Sequence, residues 1–323
     1  MEKQYASEFK ISSSPHLRGK GSVPKIMYWV VGVLMLPVAS SIYFFGMNAI
    51  RILLISIIVS LFTEYIFLVS RKKDISSLFD GSAIITGILL AVTLPPGLKS
   101  SYVAIGAFVA IALGKQVFGG LGYNMFNPAL VGRAFLQASF PVAMTTWIPP
   151  VIQKVVDAKT FATPLGGFKF SHILTPYKNL FIGNTGGSLG ETSAILLIIG
   201  GLILLIKKYI DWKIPTGILL TVFVLEGGLY LINPEKYANP LFYILSGGLL
   251  LGAFFMATDM VTSPITPKGT WIYAISIGIL VVLIRVFGGL PEGVMYSILI
   301  INGFVPLLNR YTRPRILGER GKK

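Results

Sequence analysis

The sequence predicts an all-α integral membrane protein with about ten transmembrane helices in two inverted five-helix repeats, and three observations carry that expectation. Hydrophobic residues make up 54% of the chain and charged residues 13%, where a soluble domain carries about 25% charged residues. Apolar runs of roughly 20 residues recur along almost the whole length and leave little mass for a soluble domain. Finally, Val92-Thr93-Leu94-Pro95 and Val261-Thr262-Ser263-Pro264 stand 169 residues apart, as do Phe118-Gly119-Gly120-Leu121 and Phe287-Gly288-Gly289-Leu290. Two motifs sharing one offset indicate a repeat, and five spans per copy force the second copy into the membrane upside down.

In chain order, residues 1–25 form a polar tail with Lys3, Lys10, Arg18, Lys20 and Lys25. The tail lacks the compact apolar core and small-residue cleavage site of a signal peptide. The first repeat, 26–141, holds spans at roughly 26–46, 50–70, 82–97, 101–118 and 125–141. Pro95-Pro96 and Asn127-Pro128 interrupt two of these, which a membrane tolerates only where protein or a cavity covers the backbone. Residues 142–191 form the one substantial loop. The second repeat, 192–308, holds spans at roughly 192–209, 215–233, 240–258, 270–287 and 293–308, and a basic tail, 309–323, closes the chain.

The net charge of +15 suits topology better than nucleic acid, because Lys and Arg sit between and beyond the spans rather than in one aromatic-laced patch. Arg71-Lys72-Lys73, Lys115, Lys207, Lys208, Lys213, Lys268 and both tails fall on one face. Their excess places both termini in the cytoplasm and the 142–191 loop on the outer face of the inner membrane. By inversion, the Thr93–Gly97 turn and the Arg285–Gly293 segment face outward, while Gly119–Pro128 and Thr258–Pro267 face the cytoplasm.

Zero cysteines exclude disulfides, thiolate metal ligands and iron–sulfur ligation, and His16 and His172 lie too far apart in sequence to suggest a metal site. Redox work in this chain would need an organic cofactor. No nucleotide-binding fingerprint, nucleophile triad or zinc motif occurs.

Several polar segments stand out. Asp157-Ala158-Lys159-Thr160-Phe161-Ala162-Thr163-Pro164 reads from its chemistry as a Thr-Pro turn with a capping Asp. Asn124, Asn127 and Arg133 sit in or beside an apolar span, either as a polar brace between helices or as cofactor contacts. Thr258, Asp259, Thr262 and Ser263 form either a helix-ending turn before Pro264 or a ligand site. Glu64 and Glu226 interrupt apolar helices, as ion-path groups or as hydrogen-bonding partners of a neighbouring helix or subunit.

The Thr160–Thr163 tetrapeptide resembles the flavin-attachment motif, Ser/Thr-x-Ala-Thr, of the RnfD/NqrB family. These are membrane subunits of the Rnf and sodium-pumping NADH:quinone oxidoreductase complexes. Ser14-Pro15-His16-Leu17-Arg18, the Phe118–Arg133 run, Ala257–Pro264 and Arg285–Gly289 resemble the family in the same order, so the likeness spans essentially the whole chain. The first span starts near residue 26, without the long N-terminal region of NqrB, which points to the RnfD branch.

The resemblance implies FMN esterified through its phosphate to Thr163, with Thr160 in the same motif; Phe161 departs from the small residue usual at its position. It also implies a second, noncovalent flavin, riboflavin, near Thr258, Asp259, Thr262 and Ser263. The implied function is electron transfer coupled to Na⁺ or H⁺ movement in a ferredoxin:NAD⁺ oxidoreductase. Its partners would be a second FMN-carrying subunit, soluble iron–sulfur and NAD-binding subunits, and the bilayer. An NqrB-like subunit is the alternative within the family. An inverted five-helix repeat is also a familiar transporter plan, so a non-redox transporter or channel is the competing class, and an unmodified structural scaffold is a third.

Overall fold

The computed structural model describes residues 22–150 and 162–314, and every regular element in them is helical. Thr160 lies outside the described residues, as do residues 1–21 of the N-terminal tail and 315–323 of the C-terminal tail. The first half contains α1 (Val23–Phe45), α2 (Met47–Ser70), α3 (Ser82–Val92), α4 (Ser100–Ile111) and α5 (Pro128–Ser139). Three short helices follow: α6 (Pro141–Thr145), α7 (Pro164–Ser171) and α8 (Tyr177–Ile182). The second half contains α9 (Ala194–Ile206), α10 (Lys213–Ile232), α11 (Pro240–Leu245), α12 (Leu249–Leu251), α13 (Pro267–Phe287) and α14 (Val294–Tyr311).

Each expected span therefore holds helix. Four helices, α1, α2, α10 and α13, are long and apolar enough to cross a membrane alone; α3 and α9 are apolar but shorter. Two boundaries need correction. The 82–97 span ends its helix at Val92, where the turn carrying Pro95-Pro96 begins, and 240–258 is split by Ser246-Gly247-Gly248 into α11 and α12. Proline lacks the N–H that would continue the ladder, and Gly247 adopts φ 65°, which breaks a helix without a Cβ penalty.

Helix starts follow capping chemistry. Asn127, Thr163, Asn239 and Thr266 each occupy the N-cap ahead of a proline in the first turn, and each side chain accepts a backbone N–H. π-helical turns extend α4 at Ala112–Gln116 and α12 at Gly252–Met256. They lie 140 residues apart rather than 169, so the motif offset does not relate them.

Packing depends on close backbone approach. A Cβ on Gly132 of α5 would lie 2.6 Å from the Gly106 carbonyl of α4, one on Gly217 of α10 would lie 2.6 Å from Ala274 of α13, and one on Gly87 of α3 would lie 2.9 Å from the Ile57 backbone of α2. Small residues at such crossings let helices pack without a hydrophobic driving force in lipid. Outward faces carry large apolar side chains such as Ile58, Phe62, Leu231 and Ile232.

The helical body also buries two cations expected at its faces. Lys115 and Arg285 are 2% and 4% exposed, because Glu64 pairs with the first and main-chain carbonyls accept from the second. Loop 142–191 is partly helical, with α6, α7 and α8 among its described residues.

Candidate functional site

The polar residues gather into two groups at opposite ends of α5. At its N-terminal end, Asn124, Asn127, Thr258, Asp259, Ser82, Thr86 and Lys115 line a cleft otherwise walled by apolar and aromatic side chains, among them Phe254, Phe255 and Tyr209. Its cavity volume is about 90 Å³, and it opens to a mouth that brings the atom-free space to about 790 Å³. The sequence placed the first four of these polar residues on one face; Ser82, Thr86 and Lys115 are additions.

Within the cleft, each polar side chain has partners of its own in the protein. Asn127 is a brace: its Oδ1 accepts from Ala129 and Leu130 N–H at 3.1 and 3.4 Å, and its Nδ2 donates to the Met256 carbonyl at 3.1 Å, tying α5 to the second π-helical turn. Asn124 donates to the Phe126 carbonyl at 3.2 Å. Thr258 donates back to Phe254 within its own helix. Asp259 organises the following turn by accepting from Val261 N–H and the Thr262 hydroxyl. Thr262 is buried and Ser263 lies in the same turn, and neither lines the cleft.

Lys115 connects the cleft to Glu64. Its ammonium lies 2.6 Å from Glu64 Oε1 and 2.5 Å from Ser82 Oγ, and Gln116 Nε2 donates to the same carboxylate oxygen at 3.2 Å. Glu64 is therefore half of a buried ion pair. Glu226 differs: it is fully buried in α10, neither carboxylate oxygen has a hydrogen-bond partner among the described residues, and Arg285 and Tyr243 are close enough to feel its charge.

Arg133 does not reach the cleft. It projects toward the other end of α5, where it pairs with Glu191 at 2.9 Å and Glu292 at 3.0 Å. Ser188 donates to Glu191 Oε2 at 2.7 Å, and the Gly248 N–H donates to Glu292. Arg285 donates to the Tyr243 and Ser246 carbonyls, so guanidinium and carboxylate groups hold the break between α11 and α12. Glu191 and Glu292 escaped the sequence reading because nothing local marks them; the demand that a buried arginine be paired was the available signal.

Burial and the neighbouring Glu292 raise the Glu191 carboxyl well above its ordinary range, against the pull of Arg133. The folded state then binds a proton more tightly than the unfolded chain, so this group's contribution to stability falls as pH rises from the carboxylate range toward neutrality. Glu191→Gln is expected to flatten that slope in thermal unfolding measured between pH 4 and 8, a window bracketing the shift.

Thr163 lies beside this second group. It caps α7 with its Oγ1 accepting from Gly166 N–H at 3.1 Å, and its side chain is half-buried. A Cβ at Gly166 would stand 3.0 Å from Oγ1, so glycine there keeps the hydroxyl uncrowded. Pro164 and Glu191 share a small crevice, and the far side of α7 borders a larger cleft of about 840 Å³, its open mouth included, with Lys169, His172, Lys236 and Arg285 on its walls.

Lys169 fixes α7 in place, donating to the carbonyls of Arg285, Gly288 and Leu290 at the end of α13. Lys169→Met is expected to speed hydrogen exchange at the α7 amides, read by mass spectrometry, while exchange in α13 stays slow.

The model of the NQR2, RnfD, RnfE family matches residues 10–318. The chain belongs to this family. Among curated relatives, it is 47% identical to the D subunit of the proton-translocating ferredoxin:NAD(+) oxidoreductase complex of Clostridium ljungdahlii, with 97% of each chain covered. It is 43% identical to the D subunit of the Na(+)-translocating ferredoxin:NAD(+) oxidoreductase complex of Acetobacterium woodii, over 95% of each. To the D subunit of the ion-translocating oxidoreductase complex of Actinobacillus succinogenes it is 36% identical, over 96% of this chain and 98% of the relative. Family membership accounts for a multi-pass helical membrane body. The first two relatives are named for different ions, so membership does not select the ion.

Proposed function

We propose that this chain is the flavin-carrying membrane electron-transfer subunit of an ion-translocating ferredoxin:NAD⁺ oxidoreductase complex, with FMN joined to Thr163 through a phosphoester. The observation that carries this reading is the setting of Thr163 Oγ1. It is a half-buried hydroxyl at the N-terminus of a helix, where N–H groups and the helix dipole favour a phosphate, and Gly166 leaves space around it. Lys169, Lys236 and Arg285 in the adjoining cleft supply positive charge for an anionic group. FMN supplies one- and two-electron redox chemistry at its ring, and this chain's residues would hold its phosphate, shield its ring and set the charge around it.

Noncovalent riboflavin is assigned to the cleft beside Asn124, Thr258 and Asp259, whose mixed aromatic, aliphatic and polar walls fit a planar heteroaromatic ring. Ten membrane crossings in two inverted repeats complete the reading. The starts of α2 and α10 lie 166 residues apart, as do those of α5 and α14, and those of α4 and α13 lie 167 apart. Both termini would be cytoplasmic and the Thr163 loop outside. Partners would be a second FMN-carrying subunit and soluble iron–sulfur and NAD-binding subunits. The coupled cation is Na⁺ or H⁺, with Glu64 and Glu226 as the buried carboxyls on its route.

The test is a flavin inventory of the purified complex. Wild type is expected to retain one flavin on this subunit through denaturation and to release a second. Thr163→Ala should lose only the retained flavin, and Asn124→Leu with Thr258→Val only the released one. Absence of both flavins from wild type made in cells able to attach FMN would return the transporter or channel reading.

A further inference from the structure

We propose that residues 170–182, between α7 and the end of α8, form an interfacial segment seated in the headgroup region of the lipid bilayer. This inference is independent of the flavin reading. Phe170 and Ile173 are 69% and 65% exposed, and Leu174, Tyr177, Phe181 and Ile182 are exposed with them. Six large apolar side chains crowded onto 13 residues form a patch that a water-facing loop would not keep bare.

The segment cannot simply fold these groups inward, because its inner side is already packed. Leu180 is 1% exposed, and Phe168, just ahead of it, is seated in a cluster with Leu165, Phe242 and Tyr243. Phe168 meets the rings of Phe242 and Tyr243 at centroid distances of 5.5 and 6.2 Å. His172 then turns the chain at φ 52°, closing α7 and leading into the Ile173-Leu174 stretch.

Lipid is favoured over a protein partner by continuity and by charge. Gly183, at the end of α8, sits so close to Phe44 and Ser193 that a Cβ would lie 2.9–3.0 Å from them. This puts the end of α8 at the depth where α1 ends and α9 begins. Exposed Tyr43, Met47 and Ile195 occupy those same helix ends, so the patch continues the apolar surface of the membrane helices. Between Phe170 and Ile182 there is no acidic residue and one lysine, Lys178, which is exposed. Aromatic rings with a single basic side chain able to reach phosphate suit the membrane interface.

The experiment places the photo-crosslinking residue p-benzoylphenylalanine at Ile173, and separately at Phe181, in the intact complex in native membranes. Ile58, on the outward face of α2, is the lipid-facing reference, and exposed Lys99, at the N-cap of α4, the water-facing one. After irradiation, phospholipid adducts on the peptide spanning 170–182, at a yield comparable to that at Ile58, are the expected result. A cross-link from either position to another protein of the complex would overturn the proposal and make the patch a subunit interface. A yield no higher than at Lys99, with Ile58 labelled normally, would overturn it as well and make the segment water-exposed.

Discussion

Arg133→Met is expected to destabilise the folded protein by about 3–5 kcal/mol, read as an early thermal transition in detergent, because it strips the buried Glu191 and the partly buried Glu292 of their shared counter-charge. Glu191 would keep only the Ser188 hydroxyl and Glu292 only the Gly248 N–H. Adding Glu191→Gln and Glu292→Gln to the same chain should recover a large part of the loss, since the uncompensated charge is then gone. A lone Arg133→Met as stable as wild type would mean that the pairing contributes nothing.

A comparable loss is expected for Lys115→Met, about 3–5 kcal/mol by the same reasoning, because Glu64 would remain buried with only Gln116 to satisfy it. Glu64→Gln in that background should restore much of the stability, since an amide needs no counter-ion. The pair also has a functional signature. Lys115 lies on the wall of the cleft as well as on Glu64, so its loss should weaken retention of any noncovalent flavin. Ligand content and thermal stability therefore need measuring on the same preparations.

These two ion pairs mark where sequence reasoning stopped. Arg133 was recognisable as an intramembrane charge, yet its partners lie 58 and 159 residues away. Glu64 and Lys115 are 51 residues apart, on separate spans. Such pairings depend on how helices cross, which the hydrophobic pattern of any one helix does not encode. By contrast, α1, α2, α10 and α13 were legible because a long apolar run has few alternatives to a membrane helix. The positions of α3 and α11–α12 were legible too, as was the interruption at Pro95-Pro96, while the split at the Gly247 turn, which hydropathy alone would run through, was not.

At the site, Asn127 and Thr163 both precede proline and both serve as N-caps, a role the sequence did not give them: the Thr163 segment read as a Thr-Pro turn capped by an Asp, and Asn127 as a brace or a cofactor contact. The Asn124 and Thr258 segments, expected on one face of the membrane, line one cleft. Arg133, grouped with Asn124 and Asn127 by proximity in sequence, serves the other end of α5, because six residues along a helix is about 9 Å of rise. Short α7 and α8 carried too few residues to show a period and take their form from packing on Phe242 and Tyr243.

Peptide mass spectrometry on this protein, purified from cells that attach FMN, decides whether Thr163 carries the flavin. The peptide containing Thr163 is expected to carry the mass of FMN less one water, with fragmentation assigning it to that side chain. An unmodified Thr163 peptide, recovered quantitatively from such cells, would contradict it.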